Sequence, residues 1–436
     1  MNRTDHFGSA RWAGIAERKS EGILDIPADR IARHDGDAGR SLIFGELKDP
    51  GALLRGIRQE TDGSFSRLST KLGAVLPGGP GSQSLRTLLG WGGDGHVLTV
   101  APTRSGKGVG LVVPNLLNYA GSAIVVDPKG ENWAITHRWR RDVLGQRIVC
   151  LDPFHVVLPK GYADRFGQPA RRHRRLRAAA GNLPEAESRT ARRSLDSPLV
   201  GDCLGASGKD ARGTFDLRNL KTGEPVTIYL ILPPHYLGQY SRLFRLWITM
   251  AMASMTRSYA PPTGGRPVLF LLDEMAQLGT MDMMRKAVSL MAGYGMTLWM
   301  VWQDLSQLKL LYKDDWQSFL ANAKVQQYFG INDPETAKTI SEMLGEETIR
   351  IVTESESTAT SKENLALFHS TKTKNTARSN AEAARALLKP DEVRRLPRET
   401  MLLFVQGVAP IACRRLAYYA DRMFEGRFDA NPYFNA

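Results

Sequence analysis

A series of short, almost unbroken apolar runs, each closed by a polar or turn residue, is what most limits the folds open to this chain. They read HVLTV (His96–Val100), AIVVD (Ala123–Asp127), RIVCLD (Arg147–Asp152) and VTIYLIL (Val226–Leu232). Further along come PVLFLLD (Pro267–Asp273), MTLWMVW (Met296–Trp302), KVQQYFG (Lys324–Gly330) and TMLLFVQG (Thr400–Gly407). A strand with one wet face alternates apolar and polar residues, so near-continuous runs imply a sheet covered on both faces. Helix-compatible stretches separate most of them, such as YSRLFRLWITMAMASMTRSY from Tyr240 to Tyr259. That rhythm predicts an α/β fold with a mostly parallel, doubly wound sheet.

A chain of 436 residues, 42% hydrophobic, has enough apolar material for a large core, in one domain with insertions or in two. Its 58 Lys+Arg outnumber 45 Asp+Glu, a formal net charge of +13. Such a surplus points to a polyanionic partner, nucleic acid ahead of an anionic membrane; a merely basic soluble protein stays open. Cys150, Cys203 and Cys413 have neither metal spacing nor a disulfide framework and read as reduced cytoplasmic thiols. No apolar run reaches the roughly 18–20 residues that cross a bilayer. The nearest, Ala287–Trp302, is broken by Gly293 and Gly295, and the N-terminus lacks a signal-peptide core. The chain as it stands is expected to be soluble.

Three regions break the rhythm. Residues 1–95 hold short strand-like pieces, including Ser41–Leu47, expected to pack on the main domain. That domain is assigned to 96–154 and 222–436, and within it the Ser/Thr-rich stretch 353–386 reads as a flexible polar excursion. Residues 155–221 form a basic insertion rich in Arg, Ala, Gly and Ser.

The chemistry gathers where the apolar runs end. After His96–Val100 comes APTRSGKGVG (Ala101–Gly110), close to the phosphate-loop pattern G-x-x-x-x-G-K-[ST] but with Ala101 for the first glycine and Gly108 for the hydroxyl residue. A strand, a tight turn and a helix place turn N–H groups and the positive end of a helix around a phosphate. Thr103, Arg104, Ser105, Gly106, Lys107, Gly108 and Val109 are the expected nucleotide contacts, with Lys107 reaching the β- and γ-phosphates. The hydroxyl that usually meets magnesium is absent, so water, Thr103 or Ser105 would have to replace it. A plain Gly-Lys-Gly turn remains the ordinary alternative for this stretch alone.

The run Pro267–Asp273 closes on Asp273–Glu274, where open α/β sheets bind ligands. Asp273 is placed to hold magnesium, directly or through water, and Glu274 to polarise an attacking water. Charged residues directly after buried apolar positions are costly without a partner cation, which favours this reading over a helix cap. The next run, Met296–Trp302, ends at Gln303, placed to sense a γ-phosphate; its alternative, capping the following helix, suits Asp304 better.

Together these residues resemble the TraG-like coupling ATPases of type IV secretion and conjugation. The resemblance rests on GSARWA (Gly8–Ala13), the Lys107 loop, VVDPKGENW (Val125–Trp133), FLLDEMAQLG, GYGMTLWMVWQDLSQLKLLY (Gly293–Tyr312), FGINDPETAKTISEMLG (Phe329–Gly345) and KPDEVRRLP (Lys389–Pro397). It covers most of the chain except roughly 155–210 and 350–385. It implies a RecA-like phosphate-loop NTPase of the additional-strand class, using ATP and magnesium and assembled as a hexameric ring at the cytoplasmic side of the bacterial inner membrane. Single-stranded DNA, a relaxase or secreted protein, and the secretion channel are the implied partners. Lys107, Glu274 and Gln303 take the catalytic roles and Asp273 the metal. Asp127 and Glu131 either join the metal's outer shell or start a helix. Two departures stand out. The membrane-spanning helices that usually precede GSARWA are not in the seven residues before Gly8, so membrane attachment is expected only through a missing anchor or partners. The segment from Phe154 to about Leu220 is too short for the family's all-helical domain.

RRHRRLR, with Arg171, Arg172, Arg174, Arg175 and Arg177, offers DNA contacts, the alternative being a solvated charge run. For HRWRR (His137–Arg141) an amphipathic helix with Trp139 in the core is favoured over base stacking. Arg242, Arg245 and Arg285 are candidates for an arginine acting across a ring interface. The leading reading is an ATP-driven translocase for DNA–relaxase or protein substrates. The others are a nucleotide-gated docking adaptor that does not pump and, more remotely, a DNA-binding protein with a vestigial ATP site.

Overall fold

The computed structural model describes residues 11–13, 17–18, 21, 23–28, 30, 41–47, 87–152, 154, 156–157, 216–361 and 371–433. Among them a twelve-stranded sheet runs in the order β1-β3-β2-β14-β13-β10-β4-β9-β8-β5-β7-β6. Its parallel part comprises β10 (Ala323–Tyr328), β4 (His96–Val100), β9 (Met296–Trp302), β8 (Val268–Leu272), β5 (Ala123–Val126), β7 (Val226–Leu230) and β6 (Arg147–Leu151). The expected strands therefore appear within a residue or two of the apolar runs. The antiparallel part begins at β13 (Thr400–Val405), paired with β10, and continues through β14 (Ile411–Arg414) to β2 (Leu42–Leu47), β3 (Thr87–Trp91) and β1 (Ile23–Pro27).

Both faces of the sheet are covered. Leu98, Val100, Ile124 and Val126 enter one core with the long helix Pro234–Met255, while Val97, Ala123 and Val125 enter the other with Leu111, Val112 and Leu116 beside the phosphate-loop turn. Alternate side chains of each strand go to opposite faces and both faces are apolar, which is why the runs looked continuous. β9 lies between β4 and β8, the added strand that the RecA-like reading requires.

The excursion expected at 353–386 has regular pairing. Two sixteen-residue strands, β11 (Glu346–Ser361) and β12 (Thr371–Ala386), form a separate antiparallel ribbon roughly 50 Å long. Its polarity concealed it in the sequence: a ribbon outside the main sheet has no need of apolar alternation, and its many threonines suit extended backbone. The basic cluster Arg171–Arg177 and most of the insertion lie outside the described residues.

HRWRR falls in the helix Glu131–Asp142 and follows the packing alternative. Trp139 Nε1 donates to Leu117 O at 2.8 Å, and the Arg427 guanidinium covers its ring at 4.9 Å. Arg140 is fully buried and, among the described residues, has no carboxylate partner. It donates to the carbonyls of Leu116, Tyr119 and Gly121, at the negative end of the phosphate-loop helix Val113–Asn118, and to Thr227 Oγ1. Arg140→Met takes a donor from each of those carbonyls, of which Gly121 O still accepts from Gln146 Nε2 at 3.1 Å. It is expected to lower the unfolding free energy by about 3–5 kcal/mol, read from urea denaturation.

Beyond β14 the chain returns across the same face. Tyr418 N–H donates to Val109 O at 3.4 Å, Asp429 N–H to Ile135 O at 3.0 Å and Tyr433 Oη–H to Lys129 O at 2.7 Å, while Arg138 Nε donates to Asp429 Oδ1 at 2.6 Å. Among the described residues no helix is long and apolar enough to cross a membrane.

Candidate active site

The loop after β4 turns tightly. Arg104 has φ +60° and Gly106 φ +85°, and Ser105 Oγ donates to Pro102 O at 2.6 Å. The helix behind it opens with a π-turn, Gly108–Val112, before Val113–Asn118. Pro114 has no N–H to give Gly110 O, and Val113 N–H bonds to Gly108 O instead, which widens the turn. Lys107 sits at the start of that turn.

Parallel strands bring β4, β9 and β8 side by side, and their C-terminal ends put the expected residues together. Lys107 Nζ lies 2.8 Å from Glu274 Oε1 and 3.3 Å from Asp273 Oδ1. Gln303 Nε2 donates to Glu274 Oε2 at 2.9 Å, and Gln277 Nε2 approaches the same oxygen at 3.4 Å. Both Glu274 oxygens are thus held. The Lys107 side chain is 13% exposed and each of the two carboxylates 16%. Glu274 has φ +58°, a strained conformation for a residue with a side chain, and strain of this kind concentrates at functional sites.

Electrostatics follow from this packing. Burial opposes the Lys107 ammonium, but Asp273 and Glu274 outweigh it and its pKa is raised. Burial also pushes the Asp273 carboxyl up, with Lys107 opposing only in part. For Glu274 the burial effect is overcome by Lys107, Gln303 and Gln277, and its pKa is lowered. One cation facing two carboxylates leaves a formal deficit of positive charge where an anion would enter.

The remaining expected residues divide. Asp304 Oδ1 accepts Gln307 N–H at 2.9 Å and caps the helix Leu305–Tyr312, which leaves the Gln303 side chain to Glu274. Asp127 is buried, and its Oδ2 accepts Trp133 N–H at 2.8 Å, so it serves the helix start. Burial lifts its pKa to about 7, and the charge of Asp273 adds to that rise. Glu131 accepts from the Asn431 side chain. Thr103 and Arg104 are exposed on the loop. Arg285 is tied to Asp315 at 3.0 Å, and Arg245 Nη1 donates to Thr280 O at 3.4 Å.

A residue no local motif announced also reaches the loop. Arg415, just beyond β14, lies against Gly106 and Gly110, and its guanidinium covers the Phe329 ring at 4.6 Å.

The site suits a phosphate-borne divalent ion. Among the described residues there is no group of three or more His, Cys, Asp or Glu able to hold a metal by itself. Two adjacent carboxylates fit an ion such as magnesium, which keeps its waters and shares phosphate oxygens. A Cβ built on Gly108 meets nothing within 4 Å, so the place of the usual hydroxyl is open space that water can take.

Residues 46–160 and 209–434 match the family model described as Type IV secretory system Conjugative DNA transfer. The chain belongs to that family. Among relatives of this conjugative DNA-transfer family, Protein VirD4 of Agrobacterium fabrum is 25% identical, the match covering 98% of this chain and 68% of that protein. Conjugal transfer protein TraG of Escherichia coli is also 25% identical, over 96% of this chain and 78% of its own length. Among solved structures, the plasmid coupling protein TrwB in complex with ADP and Mg2+ is similar at a TM-score of 0.47 and 15% identity, covering 73% of this chain and 84% of that one.

Proposed function

We propose that this chain is an ATP-hydrolysing coupling protein that recruits DNA–relaxase or protein substrates and drives them into a type IV secretion channel, working as a ring. The observation that carries the reading is the meeting of Lys107, Asp273, Glu274 and Gln303 at the C-terminal edge of one sheet, in a chain of the conjugative DNA-transfer family.

The loop N–H groups cradle the phosphates, and the Lys107 ammonium leaves the carboxylates to meet the β- and γ-phosphates. Asp273 would hold magnesium, which when bound neutralises charge spread over the phosphate oxygens. Glu274 orients the attacking water and accepts its proton. Gln303, hydrogen-bonded to Glu274, ties the added strand β9 to the state of that carboxylate and so to the presence of the γ-phosphate.

The shortened stretch from Phe154 to about Leu220 leaves a second reading, a nucleotide-gated docking adaptor that binds without pumping. Steady-state ATPase assays with and without single-stranded DNA separate the two. Turnover stimulated by DNA, with stimulation falling as salt rises, is expected of the motor. Nucleotide binding with no turnover at any protein concentration would leave the adaptor.

A further inference from the structure

The Arg415 guanidinium is half-buried; among the described residues Glu399 acts on its charge, but no ion pair joins the two. Nη2 donates to Arg398 O, while Nε is buried without a partner. A Cβ on Gly106 would lie 2.8 Å from Nη1, and one on Gly110 would lie 3.4 Å from it. The group therefore occupies the glycine-lined side of the phosphate loop, stacked on Phe329. Burial lowers its pKa, and Glu399 opposes this only in part. A cation kept partly out of water, with no ion-paired carboxylate among the described residues and Glu399 offsetting its burial only in part, is costly, and an anion supplied from outside removes that cost.

Topology says which part of that anion comes near. In the sheet, β9 and β8 stand on one side of β4 and β10 on the other. Asp273 and Glu274 follow β8; Phe329, beneath Arg415, follows β10. A triphosphate lying across the loop with its γ end at the carboxylates has its nucleoside end on the β10 side.

We propose that Arg415 is a second cation of the nucleotide site and contacts the phosphate nearest the nucleoside. This rests on the nucleotide reading above. Arg415 offsets the excess of carboxylate around Lys107 and supplies binding common to di- and triphosphates, leaving the γ-phosphate chemistry to the other side of the loop.

The test is calorimetric binding of ADP with magnesium to the full chain, comparing the unaltered protein with Arg415→Met and Arg415→Lys. Arg415→Met keeps most of the packing volume and removes the charge, and it is expected to weaken ADP binding at least about tenfold. The thermal midpoint of the nucleotide-free protein should hold. Arg415→Lys keeps the charge but loses the planar fork and the ring stack, and a several-fold loss is expected. If Arg415→Met does not fold, Arg415→Lys decides alone. ADP affinity within about twofold of the unaltered protein, in whichever variant is folded, overturns the proposal. Should the unaltered protein itself bind no ADP, the nucleotide reading falls; if it binds ADP and the variants match it, only the role of Arg415 falls.

Discussion

Glu274→Gln should bind ATP as well as the unaltered protein does and turn it over about 100- to 1,000-fold more slowly. The substitution preserves the side chain's shape, the φ +58° backbone faces the same strain with either residue, and an amide oxygen can still accept from Lys107 or Gln303. What disappears is the group that takes the proton from the attacking water. Removing one carboxylate also frees Lys107 for the phosphates, so affinity for ATP should hold or rise. Single-turnover hydrolysis and a direct ATP-binding titration on the same preparation give the two values. Equal loss of binding and turnover would make Glu274 a residue of the loop's architecture.

Lys107→Met should weaken nucleotide binding by about 100-fold, because the phosphates are deprived of a charge-assisted hydrogen bond in a partly desolvated place. It has a second effect on the empty protein. Asp273 and Glu274 then share a mostly buried space without their cation. The Asp273 pKa, already raised by burial, loses the interaction that held it down. The folded state then binds a proton more readily than the unfolded chain, so stability should fall as pH rises through and above the ordinary carboxylate range. Nucleotide titrations report the first effect, and urea denaturation at a series of pH values the second.

The sheet and the reacting corner were legible because the same residues served two signals. Met296–Trp302 is apolar but for Thr297 since both faces of β9 are covered, and the run stops at Gln303 because that end of the strand meets the site. The β8 run stops at Asp273–Glu274 for the same reason. The convergence of these strand ends on one edge needed only the parallel-sheet assumption; the strand order and the hydrogen bond between Gln303 and Glu274 were not legible in it. Other parts had no local signal. Arg140 sits in a string of basic residues that reads as a wet helix face, and only the carbonyl ends around it make its burial tolerable. Arg415 reaches the loop through the path of the antiparallel strands, which no spacing in the sequence encodes. The ribbon of β11 and β12 carries a polar pattern shared with unstructured segments. Asp127 offered two roles at the sequence level, and its Oδ2 takes Trp133 N–H at the helix start while Asp273 still acts on its charge.

The returning segment after β14 touches the backbone of the phosphate loop through Tyr418 and the turn before Glu131 through Tyr433. Those two turns belong to successive strand–helix units, and one stretch of chain laces them together like a stitch through two layers. The segment thus joins the two turns by a route that bypasses the strands behind them.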